Sequence, residues 1–221
     1  MDKRFMGIIG VLIAVFLGII FFNNHNKTTP AGGATNHVTG NKDSTVTLVE
    51  YGDFQCSACG SFYPVTKQIQ EKYADKIRFQ FRNLPLTQPH PNAFAGARAA
   101  EAADMQGKFW QMHDILYQNQ DPYGQSGWVA SSDPLNKYFV TYAKQLNLDI
   151  SKFKTDFGSV AVNNRINADM EAFKATGEQM STPSYFINGK KIDNSSMLDA
   201  KGQPNFMAFS KVIDAALAKN K

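Results

Sequence analysis

The sequence predicts an α/β domain whose strands are interrupted by a block of helices, preceded by one transmembrane helix. Three observations predict it. β-Branched and apolar runs at 45–51 and 77–82 flank a stretch of helical period. Residues 88–158 carry almost only helical spacing. Strand signals return at 183–191, and those late strands need the early ones to complete a sheet. The chain therefore divides into an anchor at 1–22, a flexible linker at 23–42, a first domain part at 43–87, a helical insertion at 88–158 and a second domain part at 159–221.

The anchor rests on "MGIIGVLIAVFLGIIFF", an unbroken apolar run at 6–22. As a helix it spans about 26 Å, slightly short of a hydrocarbon core, and Phe5 with modest bilayer thinning closes the gap. Lys3 and Arg4 precede it and favour an inside amino terminus, which places residues 23 onward outside the cytoplasm. A secretory signal peptide has a shorter apolar region and a small-x-small cleavage site. Here the run ends in Phe21-Phe22 and no such site follows at the membrane edge. The segment reads as an uncleaved signal anchor of a single-pass cell-membrane protein; cleavage would instead yield a secreted form. No cysteine lies near it, which excludes a lipoprotein anchor. Residues 23–42 are rich in Asn, Thr and Gly without apolar period, and read as a tether in which His25 and His37 are solvated.

"TVTLVEY" (45–51) reads as a buried strand. Phe62, Val65, Ile69 and Tyr73 then fall on one helical face, with Pro64 inside that helix as a source of a kink. "IRFQFR" (77–82) alternates and makes a second strand, so strand, helix and strand suggest a right-handed parallel crossover. The Pro-rich "LTQPHPN" opens the helical block. "AFAGARAAEAADMQ" (93–106) is its first helix, and Phe109, Trp110, His113, Leu116 and Tyr117 line the next. On that face His113 reads as a core histidine. The loop 121–134 carries Tyr123 and Trp128, which either line a peptide groove or cap the helices. Leu135, Tyr138, Tyr142 and Leu146 recur at helical spacing; Phe153 and Phe157, then Ile166, Met170 and Phe173, mark two more helices. "PSYFING" (183–189) is a strand ending in the hairpin signal Asn188-Gly189, with "KKI" as a short antiparallel partner. A closing helix turns Phe206, Phe209, Val212, Ile213 and Leu217 inward.

Composition narrows the function classes. The 221 residues are 43% hydrophobic and 19% charged, an ordinary globular balance with one sizeable core. A net charge of +4, half of it in the first 37 residues, gives no reason to invoke nucleic acid. Two cysteines make neither a disulfide scaffold nor a four-thiolate zinc site. His90 or His113 would have to complete a mixed metal site, and neither is near the pair in sequence. No metal and no cofactor is expected.

Cys56 and Cys59 follow the first strand by a few residues and open a helix. A helix amino terminus offers free N–H groups and the positive end of the dipole, and both stabilise a thiolate. Cys56, at the first turn, is the natural nucleophile. Cys59, three residues on, faces back toward it and is partly buried, at a spacing a disulfide can bridge. The competing reading is a static staple, but so short a loop constrains the unfolded chain little. Glu50, in an apolar strand, costs free energy unless it lies solvated at the strand end or has a role. Asp53 sits in the strand-to-helix connection, without a catalytic role.

"DFQCSAC", "FRNLPL" (81–86), "AGARAAEAAD" (95–104) and "STPSYFINGK" (181–190) together resemble the DsbA-like thioredoxin-fold proteins, and more narrowly their membrane-anchored disulfide oxidoreductases. The resemblance covers roughly residues 43–220. It implies a thioredoxin fold with an inserted helical subdomain, with Cys56 forming the mixed disulfide and Cys59 resolving it. Pro183 would be a cis-proline beside the pair, and backbone groups of Thr182 would pair with an extended substrate. Ser57 and Ala58 would also meet the substrate. Glu50 would be a buried acid beneath the pair, relaying the proton Cys59 must lose. Two positions depart from the family pattern. Ala58 stands where the strongly oxidising members have a histidine, and Ser181 where glycine is commoner. The expected activity is disulfide formation in secreted polypeptides carrying free thiols, with reoxidation by a quinone-linked membrane partner. The alternatives are a reductase or isomerase kept reduced, and a non-catalytic peptide- or metal-binding module.

Overall fold

The structure, a computed structural model, describes residues 34–220. The predicted anchor at 6–22 lies outside them. No described helix is long and apolar enough to cross a membrane.

Five strands form one sheet in the order β1-β3-β2-β4-β5. They are β1 (His37–Gly40), β2 (Thr47–Gly52), β3 (Arg78–Asn83), β4 (Ser184–Ile187) and β5 (Lys190–Lys191). β2 and β3 are parallel, joined through α1 (Ser57–Lys72), as the strand–helix–strand pattern predicts. α1 runs through Pro64. β1, β4 and β5 pair antiparallel to their neighbours. The hairpin between β4 and β5 turns at Asn188 and Gly189, both at positive φ (49° and 77°). That is the backbone Asn-Gly pairs supply at least cost.

The period-2 alternation of β2 distributes its side chains to two layers. Leu48 and Glu50 share the layer of α1 and α7 (Phe206–Lys219), where Tyr185 packs between Phe62 and Phe209. Tyr51 turns the other way, into a small aromatic cluster with Phe173 and Phe186. The insertion supplies α2 (Ala93–Asp104), α3 (Phe109–Gln118), α4 (Val140–Gln145) and α5 (Ile150–Phe157); α6 (Val160–Lys174) leads back to the sheet. The Ala-rich face of α2 is buried throughout, which allows close helix approach. His113 is buried among Phe54, Phe81, Trp110 and Tyr117, the core histidine that its helix face implies. Trp128 is fully buried and donates its indole N–H to Leu116 O, so it packs the insertion and lines no groove. Tyr123 is 82% exposed.

Two expectations are corrected. The linker predicted at 23–42 does not extend to 42: residues 37–40 are strand β1, paired with β3. His37 is not solvated. It is buried, stacks on Phe109 with ring centroids 3.4 Å apart, and meets Glu101 Oε1 through Nε2 at 2.6 Å. Thr35 is anchored too, by two 2.6 Å bonds to the Asp169 carboxylate. Polar composition hid this segment because it docks by hydrogen bonds and one ring stack, not by an apolar pattern. The second correction is in the insertion. A π turn at Leu135–Phe139 precedes α4 and shifts the helical phase. Phe139 is therefore fully buried, while Tyr138 packs against the core only partly buried.

Candidate active site: a dithiol at a helix amino terminus

Gly52 ends β2, and the chain crosses to α1 through Asp53, Phe54 and Gln55. Gly52 is required by close approach: a Cβ there would lie 2.4 Å from the Phe81 ring. Cys56 is the amino-terminal cap residue of α1, and Cys59 lies in the first turn. Both are thiols. Cys56 is 7% exposed and Cys59 fully buried, more so than the partial burial predicted. Both thiols are thus buried, Cys56 slightly less than Cys59.

Electrostatics separates them further. The Cys56 thiol is lowered to about 6, chiefly because the Cys59 thiol donates a hydrogen bond to its sulfur. Thr182 and the Cys59 amide add smaller shares in the same direction, against the cost of burial. The Cys59 thiol is raised well above its ordinary value by burial, by its bond to Cys56 and by the charge of Glu50. One sulfur is a good leaving group and a ready thiolate at neutral pH, and the other holds its proton.

Thr182 and Pro183 come from the loop before β4, and their peptide bond is cis. Cys56 Sγ lies 3.4 Å from Thr182 O, so the late loop meets the Cys56 thiol. Ser57 is exposed and Ala58 is exposed beside it. The structure thus brings together Cys56, Cys59, Ser57, Ala58, Thr182 and Pro183.

Glu50 is the other predicted site residue, and it is not solvated at a strand end. It is buried opposite Tyr185 in the sheet register, on the layer that α1 covers. Burial raises its carboxyl to about 8, with a hydrogen bond from Tyr185 pulling the other way. The carboxyl is therefore mostly protonated at neutral pH, in a place where its charge reaches Cys59. Tyr117 and Tyr185, buried in the same region, are likewise held protonated by burial and by nearby negative groups.

Asp53 and three amide side chains make up what sequence reasoning missed. Asp53 is buried; its carboxylate accepts from Gln55 N (2.8 Å), Leu86 N (2.9 Å) and His90 Nδ1 (2.7 Å). Its backbone N–H faces Cys59 Sγ at 3.5 Å, and its carbonyl accepts from Cys56 N at 3.1 Å. Gln120 donates to Phe54 O and Cys56 O, tying the insertion to the loop that carries Cys56. Gln55 and Asn92 brace that loop against residues 128–131. The one available signal was Asp53 between a glycine-ended strand and an aromatic, a polar residue where burial is hard to avoid.

A cavity of about 750 Å³ opens beside Ser57, walled by Gln55, the His90 loop and residues around Tyr123 and Val129. Among the described residues, His37, Glu101 and Asp104 form a group within metal-ligating reach. Arg165 already occupies it, with its guanidinium against both Glu101 and Asp104. It is a structural ion network, and none of its residues bonds either sulfur.

Solved structures share this architecture. A thioredoxin-like oxidoreductase from Silicibacter pomeroyi DSS-3 aligns with a TM-score of 0.63 over 82% of this chain and 91% of its own, at 23% identity. BdbD from Bacillus subtilis aligns at 0.67 over 85% and 97%, with 22% identity. The protein α-DsbA1 from Wolbachia pipientis aligns at 0.63 over 84% and 92%, with 20% identity. Among curated proteins, a stretch of the Na(+)/H(+) antiporter NhaA 1 of Salinispora arenicola is 34% identical over 199 residues, 90% of this chain and 28% of that protein. NhaA 3 of Salinispora tropica is 34% identical over 181 residues, 82% and 26%. The chain thus spans about a quarter of the length of these relatives. The thioredoxin family model matches residues 33–214, which takes in the sheet, the dithiol and the whole insertion: the chain belongs to the thioredoxin family, in the DsbA-like form of its fold.

Proposed function

We propose that this chain is an extracytoplasmic thiol–disulfide oxidoreductase that forms disulfides in secreted polypeptides through Cys56-Ser57-Ala58-Cys59. The observation that carries the reading is the opposed pair of thiols: Cys56 lowered to about 6 beside the exposed Ser57 and Ala58, Cys59 raised and fully buried. In the oxidised form the two sulfurs are bonded. A client thiolate attacks Cys56 Sγ, the S–S bond breaks, and Cys59 leaves and takes a proton. A second client thiolate then attacks the client sulfur of the mixed disulfide, and Cys56 departs as a thiolate. The client loses two electrons and two protons; the dithiol gains two electrons. A stable Cys56 thiolate favours that direction, because the better leaving group makes the stronger oxidant.

Glu50, with its carboxyl near 8 and its charge felt by Cys59, is suited to pass the proton to and from the buried sulfur. Thr182 offers a backbone carbonyl beside Cys56, suited to an extended client segment. Pro183, Ser57 and Ala58 complete the rim. The apolar run at 6–22, with Lys3 and Arg4 before it, supports a membrane anchor with this domain outside the cytoplasm. Net oxidation of clients requires an electron acceptor, in this reading a membrane partner of the quinone-linked kind.

Ala58 favours a second reading, a reductase or isomerase kept reduced, because no side-chain cation sits between the cysteines. Trapping decides whether the chain exchanges disulfides at all. In cells carrying Cys59→Ala, mixed disulfides with secreted clients should accumulate through Cys56 and vanish in Cys56→Ser/Cys59→Ala. No adducts under oxidising conditions would sink both readings. A reduction potential near that of thioredoxin, about −270 mV, would select the second.

A further inference from the structure

His90 lies on the loop between β3 and α2, far in sequence from the dithiol, yet the fold brings it to the site through Asp53. Asp53 is bonded to all three groups that matter. Its carbonyl takes the Cys56 amide, its own amide faces Cys59 Sγ, and its carboxylate takes His90 Nδ1. The carboxylate is fully buried, whereas the His90 ring keeps 22% exposure and lines the cavity that Ser57 also borders. A buried carboxylate with no counter-charge is costly, and His90 is the titratable group that meets it.

We propose that His90, held by Asp53, is a positioning residue that places a positive charge beside the dithiol and thereby makes the Cys56–Cys59 pair more oxidising. It offsets two deficits at once. Ala58 cannot supply a charge between the cysteines, and the negative Asp53 by itself opposes the Cys56 thiolate. Asp53 raises the His90 imidazole above its ordinary value, and the Cys56 thiolate contributes in the same direction. The other titratable groups facing this ring across the cavity are Asp121, which is held ionised by its loop hydrogen bonds, and Tyr123. Reduction of the disulfide takes two electrons and one proton: the S–S bond breaks, Cys59 binds the proton and Cys56 remains a thiolate. A cation at His90 stabilises that product and leaves the uncharged disulfide almost unaffected, so it shifts the equilibrium toward the reduced enzyme and the oxidised client.

The inference deepens the oxidoreductase reading and rests on it for its consequence, but its test is made on the purified protein without a client. The probes are ultraviolet thiolate absorbance against pH and equilibration with a reduced and oxidised glutathione buffer. His90→Gln keeps a donor toward Asp53 and removes the charge. It should raise the Cys56 pKa by about one unit and lower the oxidising equilibrium constant about tenfold. His90→Lys keeps the charge and should restore most of both. Equal shifts in the two variants, or none in His90→Gln, would overturn the proposal. Wild-type protein supplies a test that needs no variant. By reciprocity the His90 ring, followed by NMR, must titrate at higher pH in the reduced form than in the disulfide form. Identical titration in the two forms would also overturn it. If the Cys59→Ala trap fails while these shifts appear, the oxidoreductase reading falls and the charge assignment stands. If the trap succeeds without them, the reverse holds.

Discussion

Glu50 binds its proton more tightly in the folded chain than in the unfolded one, and stability must register this. Its carboxyl moves from 4.5 to about 8 on folding. Between those values the native state holds a proton that the unfolded chain releases, so stability is fully present below about 4.5 and declines as pH rises through 8. Glu50→Gln removes that dependence. The variant should gain about 3–4 kcal/mol over wild type between pH 5 and 8, read as a growing difference in urea midpoint, and should resolve mixed disulfides more slowly. A constant difference across that range would show that Glu50 is not a buried acid. At this scale the sequence was legible where chemistry is local. Cys56 and Cys59 announce themselves by spacing and by the strand before them, and Thr182-Pro183 by the strand after. Asp53 and His90 were not legible as a pair, because 37 positions separate them and only the β3–α2 loop brings them to 2.7 Å.

The strand-to-helix junction works because β2 ends on a residue with no side chain. A methyl at Gly52 would sit 2.4 Å from Phe81 Cε2 and 2.9 Å from Tyr117 Oη, both on buried rings without room to retreat. Gly52→Ala should therefore destabilise the domain by about 1–3 kcal/mol, measured by chemical denaturation. An unchanged midpoint would mean the rings yield freely. Gly60 contrasts with it: a Cβ there meets Gln120 Oε1, the end of a side chain that can swing away, although doing so gives up its bonds to Phe54 O and Cys56 O. Elements with dense apolar period were readable: β2, β3, α1 and α7 appear within a few residues of their predicted bounds. β1 was not, since "HVTG" is four residues long and gains its strand form from β3 alone. The π turn before α4 was invisible for another reason: Tyr138 and Phe139 are both aromatic, so either phase satisfies the pattern.

Across the whole molecule the insertion is fastened to the sheet by a buried polar network as well as by apolar packing. Asp169 on α6 accepts from Thr35, from Asn83 N and from the Asn83 amide, so it joins the chain before β1 to the end of β3. Glu101 on α2, fully buried, meets His37 Nε2 at 2.6 Å and accepts from Asn83 Nδ2 at 2.7 Å. Arg165 on α6 closes the network, with Nε 3.0 Å from Glu101 Oε2 and its guanidinium bonded to Asp104. None of this follows from periodicity. Glu101 and Asp104 look like solvated charges on an Ala-rich helix, and only the packing of α2 against α6 and β1 turns them inward. The arrangement matters to the site because α2 starts at the loop that carries His90 and Asn92, which bond to Asp53 and Gln55. Arg165→Ala leaves the Glu101 carboxylate buried with His37 and Asn83 but without its permanent cation. Breaking a buried pair from one side costs about 3–5 kcal/mol; because Arg165 is 24% exposed, water can enter, and the lower end of that range is expected. Arg165→Ala/Glu101→Gln removes both charges and should recover much of the loss, whereas independent roles would make the two costs add. Thermal and urea unfolding of the two single variants and the double variant measure the coupling directly. Since the network touches neither sulfur, the Cys56 thiolate titration should stay within a few tenths of a unit of wild type in all three. A large shift there would mean that the insertion positions the dithiol through this network and not only through Gln120 and the Asp53–His90 loop.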